Sequence, residues 1–202
     1  MSRRDHIQKE KIIKISGGKY KSRNFYMPAG IRPTQNIARK AIFDIVGHDL
    51  EGLAFLELFA GSGAVGLEAL SSGADEVYFV EKDQRGFEIL SENLSLITGE
   101  STASEDAAYQ LVNADAYVAV KMLARREKKF DIVFADPPYG RGLAKKALKT
   151  IEAYDILHPK CTVIIQHEKA EIMPKIEGRL NLFMQRKYGR SLISIYNVKN
   201  NE

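Results

Sequence analysis

The chain has 202 residues, 45% of them hydrophobic and 28% charged, which suits one globular domain with room for a small appendage. One cysteine, Cys161, excludes an internal disulfide. No apolar run approaches the roughly 18 residues that span a bilayer, and the charged start MSRRDHIQKEKIIK is no secretory leader, so the sequence reads as cytoplasmic.

Charge is unevenly placed. The net is +4, but residues 1–40 hold eleven Lys or Arg against two acids, a local +9 that leaves −5 on the rest. A basic end on an acidic body is a signature of polyanion binding. In IIKISGGKYKSRNFYMP, apolar and basic residues interleave around Gly17-Gly18. That pattern predicts a short hairpin, a firmer phosphate-contacting surface than a frayed tail. It sets residues 1–31 apart as a basic extension, with 32–202 as the main domain.

Residues 32–46 follow as a helix, with Pro33 near its start and Ile37, Ala41, Ile42 and Ile45 on one face. AFLELF, 54–59, predicts a strand and Ser62 to about Ser71 a helix. EVYFVEK, 76–82, is a strand, and about 84–96 a helix. The polar stretch 98–108 reads as a loop. QLVNAD and DIVFAD, 131–136, are strands, 141–153 a helix, and TVIIQHE, 162–168, a strand. LFMQRKYGRSLISIYNV predicts two strands joined at Tyr188-Gly189, which must pair antiparallel. Strand and helix alternate, and the early strands are nearly continuous apolar runs. The expectation is an α/β, doubly wound, mostly parallel seven-stranded sheet, Rossmann-like, with an antiparallel C-terminal hairpin.

LFAGSGAVG, 58–66, fits G-x-G-x-x-G after a strand. Such glycines let backbone approach a ligand at a helix N-terminus. The pattern suits NAD and other adenosine ligands alike. Glu57 tips the balance, because a carboxylate before the turn opposes a pyrophosphate and suits a cation. S-adenosylmethionine carries an ammonium and a sulfonium and no phosphate. The alternative is a Glu facing solvent at a strand end. Glu81 closes the next strand, where a carboxylate accepts from ribose hydroxyls. Asp115 either accepts from an adenine amine, with the Ala116 amide on a ring nitrogen, or caps the helix AYVAVKML; both roles are compatible. The candidate cofactor set is Glu57, Phe59, Ala60, Gly61, Ser62, Gly63, Glu81, Lys82, Asp115 and Ala116.

DPPY, Asp136 to Tyr139, is the most specific signal. From average usage it arises by chance in roughly one chain of this length per thousand. It stands at the carboxyl end of a strand near the sheet's midline, on the edge that holds the glycine turn. Pro137 and Pro138 fix φ and remove two donors, so nearby carbonyls are presented rigidly. Asp136 and a backbone carbonyl, that of Pro137, accept the two hydrogens of an exocyclic amine, and Tyr139 stacks on its ring. The base must leave its stack or lie in a loop to enter. His6, His48, His158 and His167 show no metal-ligand spacing, and no metal is expected.

FLELFAGSGAVGLEAL, VYFVEKD, NADA and DIVFADPPYG together resemble the motifs of class I adenosylmethionine-dependent methyltransferases of the DPPY type. With ISGGKYKSR, IRPTQNIARKAIFDI and RKYGRSLISIY, the chain is similar to small-subunit ribosomal RNA guanine-N2 methyltransferases of the RsmD type over nearly its whole length. It departs at Gln35-Asn36-Ile37-Ala38, where that family carries an Asp-Arg pair. The resemblance implies methylation of one guanine N2 in small-subunit rRNA, on an assembled or assembling subunit. It places Asp136, Pro137, Pro138 and Tyr139 at the target amine. Arg32, Thr34 and Arg39 fall at the site's edge, and Lys14, Lys19, Lys21 and Arg23 meet RNA phosphates. A monomer is expected. The alternatives are an adenine-N6 methyltransferase, which DPPY would serve equally, and a non-catalytic RNA-binding assembly factor.

Overall fold

The apolar runs before the glycine turn and before DPPY become the centre of a sheet, since a strand covered on both faces has no polar side to offer water. The computed structural model describes residues 9–28, 36–99 and 107–199. The chain runs β1 (Lys9–Lys14), β2 (Asn24–Pro28), α1 (Asn36–Val46), β3 (Ala54–Leu58), α2 (Ala64–Ser71), β4 (Glu76–Glu81), α3 (Gln84–Thr98) and β5 (Tyr109–Asn113). It continues α4 (Ala116–Arg125), β6 (Phe130–Ala135), α5 (Leu143–Ala153), β7 (Leu157–Glu168), β8 (Ile176–Glu177), β9 (Leu180–Tyr188) and β10 (Ser191–Val198).

One sheet has the order β5-β4-β3-β6-β7-β10-β9-β8. Strands β3 to β7 are parallel, and β10 lies antiparallel between β7 and β9. The seven expected strands are present, and the two-residue β8 adds an eighth at the edge, too short to leave a periodicity. Strand β7 begins five residues earlier than its apolar run. The extra turn of strand carries Pro159, tolerated where the β6–β7 register shifts between Phe130 and Ile132. Alternate residues of the central strands feed two cores. Phe55, Phe79 and Phe134 pack under α1–α3. Leu56, Val80 and Val133 pack under α4 and α5. Strand order reverses between β3 and β6, so a crevice opens at their carboxyl ends.

The basic hairpin is built into the first of these cores. Ile13, Ile15, Phe25 and Met27 are buried there. Its connection, residues 15–23, is longer than a tight turn at Gly17-Gly18, because it docks on the end of α2. Gly18 has φ +70, and a Cβ there would lie 1.7 Å from the Ser71 carbonyl oxygen. Lys19 N–H donates to that oxygen at 2.7 Å and Tyr20 N–H to Ser71 Oγ at 2.9 Å. The first of these bonds satisfies a carbonyl that the helix end leaves without a partner. Asn93 of α3, fully buried, accepts from Tyr26 N–H at 2.7 Å and donates to the carbonyls of Tyr26 and Ser62. The division at residues 31 and 32 lies outside the described residues.

Candidate active site

The carboxyl ends of the parallel strands open onto a cleft of 1220 Å³. A pocket for one drug-sized ligand holds about 300–1,000 Å³, so the cleft has room for two. Every predicted cofactor residue except Gly63 lines it, as do Asp136, Pro137, Pro138 and Tyr139. Gly63 sits behind the wall as the N-cap of α2, at φ 77, where a Cβ would strike Leu90 Cδ1 at 2.4 Å.

The turn after β3 is held in the left-handed region at Phe59 (φ 60), Gly61 (φ 55) and Gly63 (φ 77). For Phe59 that conformation is strained, and such strain collects where surroundings enforce it. Its ring meets Tyr117 edge-on, centroids 5.8 Å apart. Gly66, first-turn in α2, passes so near the sheet that a Cβ would lie 2.3 Å from Phe79 Cε1 and 2.7 Å from Glu57 Oε2.

Glu57 is not a solvent-facing strand end. It is 3% exposed, and its carboxyl accepts from Gly66 N–H at 2.8 Å and Val65 N–H at 3.3 Å. Burial pushes its pKa from 4.5 up to about 8; the two amides pull the other way, and the charges of Asp136 and Glu81 add to the rise. Glu81 accepts from Gly61 N–H and Asp83 N–H, each at 2.7 Å. Asp115 caps α4, accepting from Tyr117 N–H at 3.0 Å, and pairs with Lys82 Nζ at 3.2 Å. Burial pushes the Asp115 carboxyl up, but Lys82 and the capping amides outweigh it and hold it below its ordinary value. Three carboxyls thus converge on a largely apolar cleft. An incoming pyrophosphate would meet the carboxylates of Glu81 and Asp115 as like charges, whereas a cationic ligand favours the ionised form of Glu57.

Asp136 follows β6 directly. Its Oδ2 accepts from Gln166 Nε2 at 3.0 Å. Tyr139 is 36% exposed, and its hydroxyl is hydrogen-bonded to Ser191 Oγ at the start of β10. Tyr188, Ser191 and Gln166 line the same cleft, as do Met27 of β2 and Lys146 of α5. Sequence reading passed over all five. Gln166 carried a signal, a polar residue ending the apolar run of TVIIQHE. Tyr188 and Ser191 are brought in because β10 pairs with β7 and carries β9 beside it, which local pattern does not encode; Met27 and Lys146 reach the cleft from the hairpin and from α5.

Lys14, Lys19, Lys21 and Arg23 are exposed on the hairpin. Arg23 Nη1 donates to the Ile97 carbonyl, and Lys19 and Arg23 flank the Tyr20 ring at 5.2 and 5.3 Å. Arg39 corrects the expectation placed on it. It is 3% exposed, with Nε 3.1 Å from Glu68 Oε1 and Nη2 donating to the Lys14 carbonyl at 2.9 Å. Its guanidinium lies over the Phe25 ring. A side chain so enclosed ties the hairpin to α2 and does not face a polyanion. Arg32 and Thr34 lie outside the described residues. Cys161 and His167 are buried, and burial raises the thiol pKa and lowers that of the imidazole, which keeps both uncharged. Among the described residues no helix is long and apolar enough to cross a membrane.

The family model described as "Conserved hypothetical protein 95" matches residues 13–197. Over 186 residues the chain is 31% identical to YlbH of Bacillus subtilis (strain 168), covering 91% of this chain and 98% of that protein. It is 28% identical to ribosomal RNA small subunit methyltransferase D of Escherichia coli (strain K12), covering 91% and 89% of the two chains. The solved structure of yhhF from Escherichia coli matches with a TM-score of 0.80 at 27% identity, covering 95% of this chain and all of that one.

Proposed function

Because the chain belongs to the family described as Conserved hypothetical protein 95, we propose that it transfers a methyl group from S-adenosylmethionine to the exocyclic N2 of a guanine in small-subunit ribosomal RNA. One observation carries the reading: Asp136-Pro137-Pro138-Tyr139 shares a cleft with the carboxyls of Glu57 and Glu81. The Escherichia coli relative is named for small-subunit rRNA methylation, and the exposed basic hairpin suits an RNA substrate. The protein acts in the cytoplasm as a monomer, on rRNA or an assembling subunit.

When bound, S-adenosylmethionine supplies a methyl group on a positively charged sulfur. Glu57 and Asp136 give the cleft the negative character that such a cation needs. Glu81 would accept from the ribose hydroxyls, and Asp115 and the Ala116 amide would hold the adenine. The turn from Phe59 to Gly63 keeps backbone, not side chains, against the ligand. Asp136 and the Pro137 carbonyl accept the two amine hydrogens and tip the nitrogen lone pair out of conjugation with the ring. Tyr139, anchored through Ser191, supports the base. Positioning and the exclusion of water account for most of the acceleration.

The test is methyl transfer from labelled S-adenosylmethionine to small ribosomal subunits from cells lacking this gene, followed by nucleoside analysis. N2-methylguanosine is expected. Label in N6-methyladenosine, or in no nucleoside while cofactor still binds, overturns the reading.

A further inference from the structure

The cleft wall holds a buried polar atom that the proposed chemistry leaves unused. Gln166 is 5% exposed and lines the cleft beside Asp136 and Pro137. Its position is set by the sheet. Ala135 of β6 pairs with Ile165 of β7, so Asp136 and Gln166 come level at the carboxyl ends of neighbouring strands. The amide orientation follows from its partner. A carboxylate only accepts, so the atom 3.0 Å from Asp136 Oδ2 is the nitrogen and the oxygen is turned away from it. That oxygen, Oε1, is buried and has no hydrogen-bond partner among the described residues. A buried acceptor left without a donor is costly, and in native proteins such groups are few.

Two acceptors therefore lie in the cleft wall, the Asp136 carboxylate and, one amide away, the buried Gln166 Oε1. Among the bases that carry an exocyclic amine, guanine alone has a ring N–H next to it, on N1. Adenine has a bare N1 beside its N6 amine, and cytosine a bare N3 beside its N4 amine. A flipped base is read along this edge. An oxygen opposite the ring nitrogen gains a hydrogen bond from guanine and faces a lone pair in adenine or cytosine. We propose that Gln166 Oε1 accepts the guanine N1–H and so makes Gln166 the residue that selects guanine, while its Nε2 orients Asp136. The inference rests on the methyl-transfer reading above and explains a choice that DPPY alone leaves open.

The test compares two RNA substrates that differ at the methylated position, once that position is mapped. One carries guanosine and the other 2-aminopurine riboside, which keeps the C2 amine but has no hydrogen on N1. Wild-type protein is expected to favour guanosine by at least about 100-fold in kcat/KM. In Gln166→Leu, transfer to guanosine falls while the preference collapses to within about tenfold. A role confined to orienting Asp136 would slow both substrates equally and leave the ratio unchanged, which overturns the proposal. Gln166→Met, without either polar atom, serves if the leucine variant does not fold. Equal transfer to both substrates by the wild type also overturns it. No transfer to guanosine by the wild type overturns the methyl-transfer reading itself.

Discussion

Replacing Glu57 by Gln is expected to make the protein more stable at neutral pH and poorer at its task. The carboxyl titrates ordinarily near 4.5 and in the folded protein at about 8. Between those values the folded chain binds a proton that the unfolded chain has released, so stability falls as pH rises. At about 1.36 kcal/mol per pH unit, ionisation of this fully buried group opposes folding by roughly 5 kcal/mol above pH 8 and roughly 3 kcal/mol at pH 7. Its contribution is fully present below about pH 4.5 and lost by about pH 8. Glu57→Gln keeps an acceptor for Gly66 N–H and loses the longer bond from Val65, a cost of about 1 kcal/mol. The variant should be slightly less stable than wild type at pH 5, about 2 kcal/mol more stable at pH 7, and further ahead at pH 9. Urea denaturation across that range measures the difference. Parallel stability curves would refute the reasoning, since they would mean that Glu57 titrates alike in both states. Cofactor binding supplies the second readout. A cationic ligand favours the ionised carboxyl, so wild-type affinity for S-adenosylmethionine rises with pH by up to about tenfold per unit and levels off above about 8. The variant binds more weakly at every pH, with no such slope.

Asp136→Ala should lower methyl transfer by about 1,000-fold or more, far more than it weakens calorimetric affinity for S-adenosylmethionine, because losing a charge that opposes ionisation of Glu57 offsets part of the lost attraction. Lys19→Ala combined with Lys21→Ala should reduce the slope of log affinity for rRNA against log salt by about 1.5; an unchanged slope would place the RNA surface elsewhere. Arg39→Ala leaves the Glu68 carboxylate buried without its partner and should destabilise the fold by about 3–5 kcal/mol in urea unfolding. A loss below about 1 kcal/mol would mean that the ion pair is not what locks the hairpin.

Much of this was legible along the chain. The sheet announced itself because its central strands, AFLEL and FDIVFA, are buried on both faces and cannot carry polar alternation. The site announced itself at Glu57, Glu81 and DPPY, where carboxylates interrupt apolar runs at strand ends. What stayed hidden depends on pairing across long sequence separations. The resemblance places Arg39 at the site's edge, and nothing near it in sequence says that Glu68 and the Lys14 carbonyl enclose it. The hairpin connection read as a tight turn at Gly17-Gly18, but Gly18 is needed for its approach to Ser71, 53 residues away. Gln166 became interesting only when strand register set it level with Asp136.

Helix α2 explains why a basic appendage can matter to chemistry in the cleft. All eight of its residues are buried. Its first turn donates to Glu57, and its last turn carries Ser71 and Glu68, which hold the hairpin connection. Glu68 Oε1 alone receives Ser16 N–H at 2.8 Å and Arg39 Nε at 3.1 Å. On the other side, Met27 of the hairpin lines the cleft and accepts from Ser62 Oγ at 3.0 Å, beside the glycine turn. The lysines that would meet phosphate are therefore fixed with respect to the turn that would hold the cofactor. Binding energy from remote contacts assists a reaction only when it is converted into alignment of the reacting groups. A hairpin on a flexible tether would add affinity without alignment. One locked to both ends of a buried helix would set how far, and at what angle, an RNA backbone held by it stands from Asp136.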